Sequence, residues 1–154
     1  MKNKSSLIEK MFLVLFVILL VLVIVQQTGS INQTVSRSTP EGSVRYYFEA
    51  WNNKSYDVMY NAISDGFKKV EPTAANLSEF TKLINSSDVN RVDILLINTT
   101  SNDGFSANVD FDVIYYINNV PAPSKSNFLL IYRSDDRVPG WKIIQPYGAK
   151  VESS

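Results

Sequence analysis

An N-terminal transmembrane helix followed by an α+β domain is the fold class this chain predicts, and three observations predict it. Met11 to Val25 reads MFLVLFVILLVLVIV, fifteen residues without one polar side chain. From Thr39 to about Asn85 the apolar residues recur with the 3.6-residue period of helices. From Val92 to Gln145 they recur with the two-residue period of strands. Helices first and consecutive strands after them argue for helices packed on one face of an antiparallel sheet.

The apolar run is the anchor. A spanning helix needs about 20 apolar residues, with about 17 as a working minimum. Leu7 and Ile8 extend the run if Glu9 and Lys10 snorkel to the headgroups, and Gln26 and Gln27 suit the opposite interface. Residues 1–10 form a cytoplasmic head in which Lys2, Lys4 and Lys10 outnumber Glu9, so the N-terminus stays inside. Residues 11–27 form a signal anchor, 28–38 a polar spacer, 39–148 the working domain and 149–154 a tail. The expected location is the cell membrane, single-pass, with the domain extracytoplasmic and residues 11–27 in contact with membrane lipid. A cleaved signal peptide is the alternative, but Thr28 and Ser30 do not make an A-x-A cleavage site. Either way the domain is exported. Leu7-Ile8-Glu9 before an apolar run also resembles the start of a type IV pilin, yet Lys4 or Ser5 stands where that family needs Gly.

Composition excludes several function classes. Beyond residue 30 there are 12 basic and 14 acidic side chains, the totals of 15 and 15 less the three Lys and one Glu of the head. That is no footprint for nucleic acid. His is absent, so no imidazole serves as a base or metal ligand. Cys is absent, so the domain stands on its core without disulfides. Neither metal nor cofactor is expected. Asn-x-Ser/Thr sequons at Asn32, Asn53, Asn76, Asn85 and Asn98 fall on the outer side and are candidate glycosylation sites; a bias toward Asn and Ser explains them equally well.

Within the domain, Thr39-Pro40-Glu41 reads as N-cap, first helical residue and first-turn acid. Val44, Tyr47, Phe48 and Trp51 make one apolar stripe, broken at Asn52-Asn53-Lys54. Ser55 caps a second helix with Val58, Met59, Ala62 and Ile63 on its face, and Asp65-Gly66 is read as its stop. A third helix spans Leu77 to Asn85. Val92–Ile97 is a strand, Ser101-Asn102-Asp103-Gly104 a turn, and Phe105–Ile117 a strand of alternating apolar and polar residues. Asn118–Ser126, with two prolines, reads as a loop. Phe128–Arg133 and Trp141–Gln145 complete the strands, with a polar turn over Ser134–Gly140.

The Thr-Pro-Glu helix with Tyr47, Phe48 and Ala50-Trp51, the short Asn53-Lys54-Ser55-Tyr56-Asp57 link, and four β segments ending on Gly140-Trp141-Lys142-Ile143 together resemble the nuclear transport factor 2-like superfamily. The likeness is to its small exported, membrane-attached branch and covers about Thr39 to Tyr147. It implies a cone of about three helices on a curved antiparallel sheet, with a pocket at the open end. Its members include enzymes, ligand binders and assembly subunits, so fold alone does not select a function.

Tyr47, Trp51, Tyr60, Asp112, Tyr115 and Tyr132 are the candidate ligand-binding residues, with Tyr116 and Phe128 as further aromatic candidates. Aromatics also build cores, which is their default role. Asp110 and Asp112 project to one face of a strand, where an acid inside the cone would act as base in the isomerase-type members, but Ser106 and Asn108 beside them read as a solvated face. No catalytic residue is assigned. The first functional expectation is a non-catalytic, membrane-tethered domain for protein–protein interaction or envelope assembly, with an envelope protein as partner. The alternative is a small-molecule-binding domain, sensor or solute-capturing, using the cone pocket; an isomerase- or dehydratase-like enzyme ranks third. Superfamily members often pair through the exposed sheet face. Its polar half here favours a monomer or weak dimer.

Overall fold

The computed structural model describes residues 37–144. The anchor 11–27, most of the spacer, the end of the last strand at Gln145 and the tail 149–154 lie outside the described residues. Among the described residues no helix is long and apolar enough to cross a membrane. What they form is an α+β domain of four α-helices followed by four antiparallel strands.

Helix α1 spans Pro40–Asn52 and starts as its sequence dictates. Thr39 Oγ1 accepts from Gly42 N–H at 3.0 Å, and Pro40 opens the first turn. Helix α2 (Tyr56–Asn61) follows a three-residue link. The structure then departs from expectation, because Asp65-Gly66 opens a helix instead of ending one. Ser64 caps α3 (Asp65–Val70), its Oγ accepting from Phe67 N–H at 3.0 Å. Asp65 in the first turn and Lys68 and Lys69 in the last both suit the helix dipole. A 3-10 turn (Pro72–Ala74) leads to α4 (Leu77–Ser86), capped by Asn76. The domain therefore has four α-helices where three were expected.

The strands β1 (Val89–Asn102), β2 (Ser106–Ile117), β3 (Val120–Arg133) and β4 (Gly140–Ile143) form a meander in sequence order. The segment 118–126 is not a loop. Asn118 and Asn119 take φ of 50° and 67°, the left-handed pair of a two-residue hairpin turn, and Ile117 pairs Val120 directly. Pro121 and Pro123 then sit in β3 itself. They are tolerated because β4 pairs only with Leu130–Arg133, leaving this half of β3 at the sheet edge.

Helix α1 lies on the inner sheet face. Val44, Phe48 and Trp51 meet Val92, Val109, Phe111, Val113 and Leu130, all buried. Phe48 is the hub: its ring stands edge-on to Phe111 at 5.1 Å and stacks with Phe128 at 6.0 Å.

Side chains of α1 also finish the free edge of β1. The Asn52 amide donates to Val92 C=O at 2.8 Å and accepts from Val92 N–H at 2.7 Å, as a paired strand residue would. Glu41 accepts from Thr99 N–H at 3.1 Å, and the Thr99 side chain, more than this N–H, holds its carboxyl below the usual range. Along β4 the link Ala62–Ser64 does the same: Ile143 N–H donates to Ala62 C=O, and Ser64 N–H to Ile143 C=O.

A charged clamp fixes α3 to the β3–β4 turn. The buried Asp136 carboxylate accepts from Asp65 N–H at 3.2 Å and pairs with Arg133 at 3.3 Å. Asp65 in return accepts from Arg137 N–H at 3.2 Å and pairs with Lys68 at 2.7 Å. Burial draws the Asp65 carboxyl upward, but the bonds from Lys68 and Arg137 outweigh it and hold it low. Behind them Lys142, 3% exposed, donates to Asn61 C=O at the end of α2. Burial pushes its amine down to about 8, opposed by Asp136 and reinforced by Lys68 and Arg37.

Two predictions follow from these contacts. Asn52→Ala should cost about 1–2 kcal/mol, read as a lower urea midpoint at unchanged slope, while the exposed Glu49→Ala stays within about 0.5 kcal/mol. Between pH about 8 and the ordinary lysine value of 10.5, the unfolded chain keeps a proton that native Lys142 has lost, so stability should rise with pH there. The rise should turn over near pH 10, because burial raises the phenols of Tyr47 and Tyr115 and unfolded tyrosines ionise first. In urea titrations Lys142→Met should flatten the rising limb and leave the turnover.

Candidate functional site

Between the sheet and helices α3 and α4 the packing leaves a cavity of about 260 Å³. Tyr47 and Phe128 line it from α1 and β3, Ile143 from β4, Phe67 from α3, and Phe80 and Ile84 from α4. Each is placed by the fold just described. Phe67 faces inward because the clamp holds α3 down. Phe80 and Ile84, four apart, share the buried stripe of α4. The polar contribution comes from Glu71 and Thr73. Glu71 Oε1 accepts from Thr73 N–H at 3.1 Å and from Thr73 Oγ1 at 2.6 Å, so the two groups form one fixed polar spot on an otherwise apolar wall. A largely apolar chamber with one oriented polar spot can bind a small molecule.

Of the six candidate residues from the sequence, the structure brings Tyr47 to this cavity, and Phe128 joins it there. Trp51 and the half-buried Tyr115 pack together away from this cavity, rings 5.9 Å apart, and the buried Trp51 Nε1 has no hydrogen-bond partner. Tyr60 stands on the other side of the helical layer. Its hydroxyl donates to Ala74 C=O at 3.1 Å and its ring lies under Lys68 Nζ at 4.5 Å, beside a second cavity of about 490 Å³ lined by Asp57, Asn61, Asp65 and Arg137. Burial and Asp65 raise its phenol. Tyr132 is exposed at the sheet end, edge-on to Trp141 at 5.7 Å.

Asp112 and Asp110 lie on the outer sheet face, opposite the cavity. Asp112 pairs with Lys125 across the strands at 2.6 Å, in a shallow groove that Leu96 and Asn127 complete. An acid there is not a base for anything bound between sheet and helices. Tyr116 shares that face, its ring under Arg91 at 4.1 Å. Asn53, Asn76, Asn85 and Asn98 are all exposed, whereas Asn32 lies outside the described residues. Asn76 caps α4 through Oδ1, and Asn85 Oδ1 accepts from Tyr56 O–H at 2.6 Å.

Several lining residues escape a reading by sequence. Phe67 belongs to the unexpected helix α3. Glu71 and Thr73 carried one usable signal: an acid before Pro72 is a cap followed by a first-turn proline, and Glu71 does cap the 3-10 turn.

No protein-family model matches this chain, and no curated protein matches it. Among solved structures it is similar to a sec-c motif containing protein from Psychrobacter arcticus, with a TM-score of 0.51 and 10% identity over 72% of this chain. The match spans 61% of that protein's length, and at this identity the likeness is one of fold.

Proposed function

We propose that this chain is a non-catalytic binding domain held outside the cell on a single membrane anchor, residues 11–27, and that its cavity takes a small apolar molecule. The observation that carries the reading is the cavity itself, aromatic and aliphatic on most of its wall, with Glu71 and Thr73 as the fixed polar pair. Its volume, about 260 Å³, suits a ligand of one ring or a short chain. On this reading the domain is a small exported member of the nuclear transport factor 2-like superfamily and the cavity is the interior of its cone. The order of helices before a four-strand meander supports that reading. Exposure of Asn53, Asn76, Asn85 and Asn98 supports their use as glycan sites.

A second reading, docking of an envelope protein, is favoured by the outer sheet face. Leu95 and Leu96 stand 59% and 57% exposed beside a bulge in β1. Contiguous exposed apolar surface marks interaction sites, and these two leucines lie together.

The two readings separate by mutation. Ala74 is buried and lines the cavity, so Ala74→Leu should fill it. In full-length protein held in lipid nanodiscs, indole and similar single-ring compounds should raise the Tm of the parent and leave the variant unmoved. If no such compound stabilises the parent more than the variant, the cavity is not a binding site. Leu96→Lys should instead abolish crosslinking to an envelope partner if the sheet face docks one.

A further inference from the structure

The hairpin joining β1 and β2 ends in an exposed aromatic on a rigid support. Phe105 is 80% exposed, more than any other large apolar side chain among the described residues. It does not sit on a loose loop. Asn102 Oδ1 accepts from Gly104 N–H at 2.9 Å, and Asp103 Oδ1 accepts from Phe105 N–H at 2.8 Å and Ser106 N–H at 2.6 Å. Asp103 Oδ2 takes the Ser106 hydroxyl at 2.9 Å, and Gly104 supplies the φ of +88° that the turn requires. Tyr132 lies alongside, its N–H donating to Phe105 C=O at 2.8 Å; one further step of the β2–β3 register sets the two side chains on the same face. Tyr132 is itself 47% exposed.

The described chain begins at this same end. Gly140, paired with Arg133 beside Tyr132, lies against Arg37, the first described residue. Helix α1 begins here too, with Glu41 on Thr99. Only eleven residues, Gln26 to Ser36, separate the apolar run 11–25 from this point. Eleven residues reach at most about 36–40 Å. The end of the domain that carries Phe105 and Tyr132 is therefore the end from which the chain continues toward the apolar run.

We infer that this end of the domain rests on the lipid bilayer, with Phe105 and Tyr132 seated at the lipid–water interface. The inference rests on the reading of residues 11–27 as a membrane anchor. Phe and Tyr at one exposed tip have the chemistry of that interface: an apolar ring for the acyl boundary, and a ring with a hydroxyl for the headgroups. The tip does not attract anionic lipid: beside Phe105 the Asp103 carboxylate stays ionised, bonded within its turn, and Arg133 is paired with Asp135 and Asp136. Seating is thus expected on zwitterionic lipid and insensitive to salt.

The test uses the full-length chain in phosphatidylcholine vesicles whose acyl chains carry bromine near the headgroup, which quenches indole emission on contact. Phe105→Trp is compared with Val120→Trp, an exposed site at the opposite end of the sheet, and with the parent, whose Trp51 and Trp141 are buried. Flotation first establishes whether the protein is held by the vesicles. The expected result is loss of the emission added by Phe105→Trp, unchanged in high salt, with the emission added by Val120→Trp retained. Protein that floats while both variants keep their added emission overturns the docking and leaves the anchor standing; the tip then faces a protein partner or solvent. Protein that does not float overturns the anchor and the docking together.

Discussion

The packing of Phe48 against the sheet is the contact on which the other features depend. This chain has no cysteine, so no disulfide holds the domain together, and a domain of this length must close on apolar burial alone. Phe48 is fully buried and touches rings from α1, β2 and β3 at once. It fixes the tilt of α1 on the sheet. With that tilt set, Glu41 reaches Thr99 at one end of the β1 edge and Asn52 reaches Val92 at the other. The neighbouring Tyr47, one residue earlier, is turned toward the space between sheet and α4, and the cavity begins there. The core and the candidate site are thus two sides of one helix.

The same economy governs the sheet edges. An unpaired strand edge is a template for another chain, and each edge here is closed differently. Side chains of α1 bond the edge of β1 at Val92 and Thr99, the Ala62–Ser64 link pairs with β4, and Pro121 and Pro123 remove two donors from the free half of β3. Strand addition is therefore a poor route to a partner for this domain. What remains for recognition is the outer sheet face, the cavity and the hairpin tip, which differ in chemistry: mixed apolar and ion-paired, concave and mostly apolar, and exposed and aromatic.

The legible parts of the fold were those whose signal is local. Helix α1 followed from a cap, a proline and a four-residue stripe, and β2 from strict alternation over Ala107, Val109, Phe111, Val113 and Tyr115. Helix α3 was missed because Asp-Gly is a turn signal whose weight Ser64 and the two lysines override only once the Asp136 clamp is present, seventy-one residues away. The first half of β3 was missed because proline speaks against a strand in general, and only the shortness of β4 makes this stretch an edge. The candidate site was legible where core and cavity coincide, at Tyr47 and Phe128. It was opaque where a lining residue depends on tertiary position, as at Phe67, Glu71 and Thr73. Aromatic content alone does not separate a ring that lines a cavity from one that fills the core beside it, which is why Trp51 and Tyr115 read the same as Tyr47.

The clamp ties stability to access. A six-residue helix has no stability of its own in water, so α3 exists because Asp65, Asp136 and Ser64 hold its start and Phe67 anchors its middle. Phe67 is also part of the cavity wall. The wall is therefore fastened by ionic and hydrogen-bonded contacts around the buried Asp136, while the opposite wall, Phe128 and Ile143, belongs to the sheet. Buried charge makes such a fastening costly to keep and abrupt to break, since a clamp that loses one partner leaves the other unpaired. On the α3 side the cavity is held by Asp65 and Asp136; on the α4 side its wall is Leu83 and Ile84, in a helix tied down by the Tyr56 hydroxyl on Asn85 Oδ1. Leu83, already exposed, is where the apolar wall of the cavity meets solvent.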